Sequence, residues 1–316
     1  MSTYNRIAVS DLDPNTVGET AAVATSCLWT LNSLLFASAG KRIGSFSVNA
    51  YRIIMAVGLL VLAHAILLGT ILPVATNGQW FWMGLSGVVG LGIGDFGYFS
   101  ALVAIGPRRS VLLMALSPIF ASIGAYLILG ETIPTFAALG IAITLAGVIV
   151  VILESEEHSG EEPVSKRLRS YGIFFALTGA IGQGVGLVLS KKGIYLDPGV
   201  MLNPLSATLI RMILGASFVW TVAVVVGKLP ELRRAMKSKE GMSNTAAGAF
   251  IGPFMGVTLS MVAVTYASAG VAQTLMSLMP VLIIPIVWIL YKQRTSLRGI
   301  LGAVIAVIGV AILFLT

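Results

Sequence analysis

Asp95 sits in Gly92-Ile93-Gly94-Asp95-Phe96, and no other Asp or Glu falls well inside an apolar stretch of this sequence. An ionisable side chain at the centre of a hydrocarbon layer costs about 2.5–3.5 kcal/mol on insertion scales, so a carboxylate kept there is a candidate for binding a proton or a polar solute group. Its ordinary alternative is a structural partner for a nearby arginine. Tyr98 follows at i+3, on the same helical face. Arg52 and Arg211 are the arginines placed within apolar stretches. Lying near helix ends, they are expected to snorkel, to cap carbonyls, or to take part in gating. Thr25, Trp29 and Asn32 recur at i, i+4 and i+7, and Gln183, Gly186 and Ser190 at i, i+3 and i+7, each set forming one stripe. Such stripes suit a mixed apolar and polar pocket for a small solute, with hydrogen bonding between helices as the plainer reading. His64 reads most simply as bonded to a neighbouring carbonyl.

The Gly-x-Gly-Asp stretch also resembles the motif of intramembrane aspartyl proteases. That chemistry needs two carboxylates sharing a proton and a water, and no second apolar stretch contains one. Cys27 is the sole cysteine, which excludes an internal disulfide or a cysteine metal pair. There is no HExxH, no nucleophile elbow and no phosphate-binding glycine loop, so an enzyme, a cofactor and a metal site are not expected.

The elements that must position these residues follow from composition. The chain is 57% hydrophobic and 10% charged, against about 25% charged in soluble domains. Too little polar surface remains to face water, so the surrounding solvent must be lipid. The net charge of +7 is carried in short clusters between apolar runs, a pattern suited to lipid headgroups and not to nucleic acid. Residues 1–16 read as a polar tail without a cleavable signal. Apolar runs long enough to cross ~30 Å of hydrocarbon occur ten times, at about 18–38, 47–69, 80–105, 110–129, 135–153, 171–190, 204–226, 245–267, 271–291 and 297–315. The fold class expected is therefore an all-α membrane protein of ten transmembrane helices. A polar linker at 154–170 separates five helices at 18–153 from five at 171–316, and a short surface helix is expected around 231–239.

Sliding the second half on the first by 162 residues without gaps superposes Gly90 on Gly252, Gly94 on Gly256, Pro118 on Pro280, Gly140 on Gly302 and Gly147 on Gly309. Asp95 falls on Val257. A repeat of five spans is odd, so its second copy enters the membrane from the opposite face, and such inverted repeats place solute sites at their interface near the midplane. The repeated glycines form small-xxx-small faces for close helix packing. Pro118 and Pro280 are expected as mid-helix kinks, static or hinge-like.

The paired arginines, the stretch GDFGYFSALVAIGPRRSVLLMALSPIFASIGAYLILGE from Gly94 to Glu131 and the repeated Pro and Gly pattern resemble the drug/metabolite transporter superfamily, in particular its ten-helix EamA-type members. The resemblance covers nearly the whole chain. It implies a prokaryotic cell (inner) membrane location and a cavity lined by the first four helices of each half, with the fifth and tenth helices peripheral. It further implies a secondary carrier of a small metabolite or drug-like solute, with export favoured and protons as a candidate coupling ion through Asp95. A lipid flippase or scramblase of the same fold is the alternative.

Fifteen basic residues fall in the loops after the odd-numbered spans and only Arg6, Lys191 and Lys192 on the other side, so the positive-inside rule puts both termini outside.

Overall fold

The computed structural model describes residues 13–157, 166–197, 201–279, 281–282 and 297–313, and their regular structure is helical throughout. The first half contains α1 (Pro14–Ile43), α2 (Ser45–Leu68), α3 (Asn77–Ser86), a π-helical segment (Gly87–Gly94), α4 (Asp95–Met114), α5 (Ser117–Leu129) and α6 (Thr135–Glu157). The second contains α7 (Lys166–Ile194), α8 (Pro204–Val225), α9 (Leu229–Ala235), α10 (Lys239–Ala249), a second π segment (Phe250–Gly256), α11 (Val257–Tyr266), α12 (Ala269–Met276) and α13 (Leu297–Leu313).

Local chemistry sets the ends of these helices. Asp13 and Asn203 cap α1 and α8, each with proline next in the chain, where the missing N–H costs nothing. Thr76 and Gln79 form a reciprocal capping box that starts α3. Gly69 and Gly130 end α2 and α5 with φ of 72° and 70°, a left-handed geometry that glycine adopts without strain.

Among the described residues five helical stretches are long and apolar enough to cross a membrane: Pro14–Ile43, Ser45–Leu68, Ser170–Ile194, Pro204–Val225 and Lys239–Tyr266. Shorter apolar helices occupy Ser117–Leu129, Thr135–Val150 and Leu297–Leu313. Helical backbone runs through Glu157 and resumes at Lys166, within the polar stretch 154–170. Polarity marks where hydrocarbon ends, whereas Glu, Lys and Arg favour the helix itself. Within α4 the chain reverses direction. Gly172 of α7 packs on Ile105, yet Gly179, two turns along α7, touches both the Tyr98 nitrogen and Met114. Residues 98–105 thus run antiparallel to α7, and Met114 returns to the level of Tyr98.

Each helix of one half packs on a helix of the other. The chain from α3 to α4 crosses α7, α1 lies along α10, the second π segment and α11, α2 packs on α8, and α5 on α12. The pairing of α6 with α13 displays the symmetry. A Cβ on Gly147 would stand 2.6 Å from Gly302 O and one on Gly140 3.1 Å from Gly309 O. The 162-residue offset exchanges these two contacts, so the helices are antiparallel about a pseudo-two-fold axis, as inverted repeats require.

Two further features repeat at that offset. Asp95 N–H bonds Gly90 O and Val257 N–H bonds Gly252 O, the i−5 bonds that close the two π segments. Turns at residues 115–116 and 277–278 interrupt the following helices. Pro118 consequently occupies the second position of α5, just after that turn, so the mid-helix kink expected there is instead a helix restart, where proline lacks nothing. Pro280 lies outside the described residues.

The outer surface is apolar, with Ile66, Leu127, Phe136, Phe174 and Leu297 exposed, as a lipid-facing surface must be. At one end the start of α1 touches Ala267, and the end of α7 bonds Ala267 O through Lys191. At the other end Arg42 pairs with Glu240 and Tyr51 donates to Leu232 O (3.0 Å), which gathers the basic segments after α1 and α8. The short helix α9 stands in that second polar stretch.

Candidate functional site

The first π segment aims Asp95. Widening the helix by one residue per turn displaces the register just before it, and such insertions recur at functional sites. Asp95 is 6% exposed, and both of its oxygens are engaged. Arg52 Nη2 donates to Oδ2, and Gln183 Nε2 donates to Oδ1 at 2.7 Å. Gln183 also reaches Gly90 O at 3.4 Å. Arg52 is held in turn by Asn49 Oδ1 at 2.9 Å and lies over the rings of Phe36 (5.6 Å) and Phe99 (5.4 Å), contacts that fix a guanidinium through its π face and edge. The ion pair joins α2 to α4 within the first repeat, and Gln183 ties it to the second.

Arg211 lies close enough for its charge to act on Asp95, as does that of Arg52. Neither arginine snorkels. The side chain of Arg52 is 12% exposed, and Arg211 as a residue 3%. Each sits one to two turns into its helix, but the neighbouring helices extend past it and close over the guanidinium. Tyr98 is half-buried beside Phe99 and within the electrostatic reach of Asp95.

Trp29 and Asn32, on the stripe read from α1, lie against the second half. A Cβ on Gly252 would meet Asn32 Nδ2 at 1.9 Å, and one on Gly256 would meet Trp29 Nε1 at 2.7 Å. Both side chains are therefore seated on the glycine face of the second π segment, with Thr25 donating to Gly256 O at 3.3 Å. The equivalent crossing in the other half is backbone on backbone. A Cβ on Gly186 would stand 2.8 Å from the Gly90 Cα, and one on Gly182 2.6 Å from the Gly94 Cα, with Ser86 donating to Gly186 O at 2.5 Å. In this correspondence Trp29 matches Gln183. The polar pair Asp95 and Gln183 thus has the apolar counterpart Val257 and Trp29.

His64 is fixed by Thr70 O (2.5 Å) and Ser206 Oγ (2.9 Å), away from this cluster.

A second polar group, centred on Glu131, escaped sequence reasoning. Glu131 Oε1 pairs with Lys191 at 2.6 Å, its Oε2 accepts Ala269 N–H at 3.1 Å, and Lys191 also donates to Ala267 O at 2.6 Å. This staple ties α5 to α7 and α12 at the end away from the main basic segments. A cavity of ≈ 410 Å³ lies beside it, lined in part by Glu131, Lys191, Lys192 and Tyr195. Burial, with Tyr266 and Glu131 nearby, pushes the Tyr195 phenol above its usual range. The sequence signal available was a lone acid just after a helix-ending glycine, facing a lysine pair in the other half.

Among the described residues no group of three or more His, Cys, Asp or Glu is placed to hold a metal. No second carboxylate bonds Asp95 in the arrangement that an aspartyl protease would need; its bonded partners are Arg52 and Gln183.

The fold and this cluster define an inverted-repeat helical membrane protein with a buried ionic site contributed by both halves. A model of the EamA-like transporter family matches twice, over residues 16–153 and 170–315. The chain belongs to that family, and is thus an integral membrane transporter of the drug/metabolite superfamily. A solved crystal structure matches with a TM-score of 0.73 at 18% identity, covering 95% of this chain and 97% of that one, a likeness of fold. Comparison with curated proteins finds no match.

Proposed function

We propose that this protein is a ten-helix secondary carrier that exports a small metabolite or drug-like solute by alternating access between its two inverted halves. The observation that carries the reading is the Arg52, Asp95 and Gln183 cluster, where a buried ion pair of the first repeat is completed by the second. A rearrangement of the halves must remake that contact. Asp95 is the candidate coupling group: protonation would release Arg52 and loosen α2 from α4. The Glu131 and Lys191 staple supports a state closed at one end, because it bridges the halves there. Membrane lipids are the remaining partners in this reading, in a prokaryotic inner membrane, and the five-helix units 18–153 and 171–316 are the moving halves.

Proteoliposomes holding the full chain, assayed for solute uptake and efflux with and without a proton gradient, test this. Asp95→Asn keeps the bond to Gln183 but cannot ionise. It should abolish gradient-driven accumulation and leave exchange intact. Accumulation by that variant with unchanged pH dependence removes Asp95 from coupling. Movement of labelled lipid in place of solute would make the protein a flippase.

A further inference from the structure

Arg211 is a buried charge that the fold compensates only in part. Its Nε has no hydrogen-bond partner among the described residues, and Nη1 meets the Met261 thioether at 4.0 Å, a weak acceptor. The nearest carboxylate is that of Asp95, which both arginines share. Asp95 gives Oδ2 to Arg52 and Oδ1 to Gln183. The cluster of Arg52, Arg211 and Asp95 therefore carries one excess positive charge, and buried charges are ordinarily paired.

The pseudo-symmetry shows what is missing. Arg52 lies over Phe99 and binds Asp95; the 162-residue offset carries Phe99 onto Met261 and Asp95 onto Val257. Arg211 reaches Met261 as Arg52 reaches Phe99, but where its carboxylate would stand it finds a buried valine. The backbone has kept room for the guanidinium. A Cβ on Gly90 would stand 2.7 Å from Arg211 Nη2, so a side chain at that position would push the guanidinium aside.

We infer that Arg211 receives a carboxylate of the transported solute, which supplies the negative charge that Val257 does not. The inference rests on the transporter reading and narrows its substrate class to small organic molecules bearing one carboxylate. A guanidinium presents parallel N–H groups that fit a carboxylate edge. The excess of one charge matches a monoanion, whereas a phosphate dianion would leave the cluster negative.

The test measures the melting midpoint of the purified full-length protein in detergent at matched ionic strength, with acetate, benzoate, benzamide, benzylammonium and inorganic phosphate. A ligand that binds only the folded state raises the midpoint. Benzoate or acetate should raise it, and benzamide and benzylammonium should not. Arg211→Gln should weaken the apparent affinity for the carboxylate at least tenfold, with Arg211→Lys in between. Val257→Asp builds the absent carboxylate into the protein. It should abolish the response, with its own midpoint at or above that of the parent. An equal response to benzamide, a response to phosphate alone, a full response from Arg211→Gln, or no response to any probe overturns the inference. Tracer flux in proteoliposomes separates this from the broader reading. Flux without carboxylate preference removes the inference and leaves the carrier, while carboxylate-selective binding without flux of any solute does the reverse.

Discussion

Arg52 and Arg211 occupy equivalent places in the two repeats, yet replacing each by methionine should move stability in opposite directions. Arg52→Met removes the bond to Asp95, the bond to Asn49 and the contacts with Phe36 and Phe99. Asp95 is then left buried with Gln183 as its remaining bonded partner. Breaking a buried pair from one side costs about 3–5 kcal/mol. The lower end applies here, because the two side chains keep 12% and 9% exposure and some water reaches them. Arg211→Met exchanges a guanidinium with an unbonded Nε for an apolar chain that can pack on Met261. An unsatisfied buried donor costs about 1–3 kcal/mol, so its removal is neutral or stabilising by up to that amount. The gap between the variants is then roughly 3–5 kcal/mol, or two to three decades or more in the ratio of folded to unfolded protein. Denaturant titration of the purified variants in one detergent, followed by tryptophan fluorescence, measures it. Equal losses, or a larger loss for Arg211→Met, would refute the reasoning, since they would mean that Arg211 has a partner as good as Asp95.

Gly147→Val should prevent accumulation of folded protein, because its Cβ would stand 2.3 Å from the Ala306 nitrogen. Gly58→Ala meets nothing within 4 Å and should be neutral or stabilising by up to ~1 kcal/mol, as yields on size exclusion will tell. The basic segments after α1 and α8 share one end of the molecule, which the positive-inside rule predicts to be cytoplasmic. A C-terminal reporter that fluoresces only in the cytoplasm should therefore stay dark, and bright cells would reverse the orientation.

Much of this protein is legible in its sequence because lipid imposes a simple rule: a run too apolar for water and long enough for the bilayer is a helix. That rule places α2 and α8 within a few residues, and the gap-free glycine register reveals the repeat before any contact is known. The isolation of Asp95 among apolar residues likewise marks it at once. The register does not say which helix meets which. Gly147 and Gly309 coincide in the repeat, but only antiparallel packing of α6 on α13 shows that each touches the other's partner glycine. The π segments escape pattern reading because their insertion changes hydrogen bonding without changing hydrophobicity. Trp29 and Asn32 read as pocket residues by periodicity, yet close approach to glycine backbone decides their surroundings. For the arginines the deciding fact is likewise tertiary: burial and pairing depend on which helices close over them. Sequence alone shows two arginines and one carboxylate within apolar stretches; the fold bonds that carboxylate to Arg52 and leaves the buried Arg211 Nε without a partner among the described residues, because the position equivalent to Asp95 in the second half is Val257.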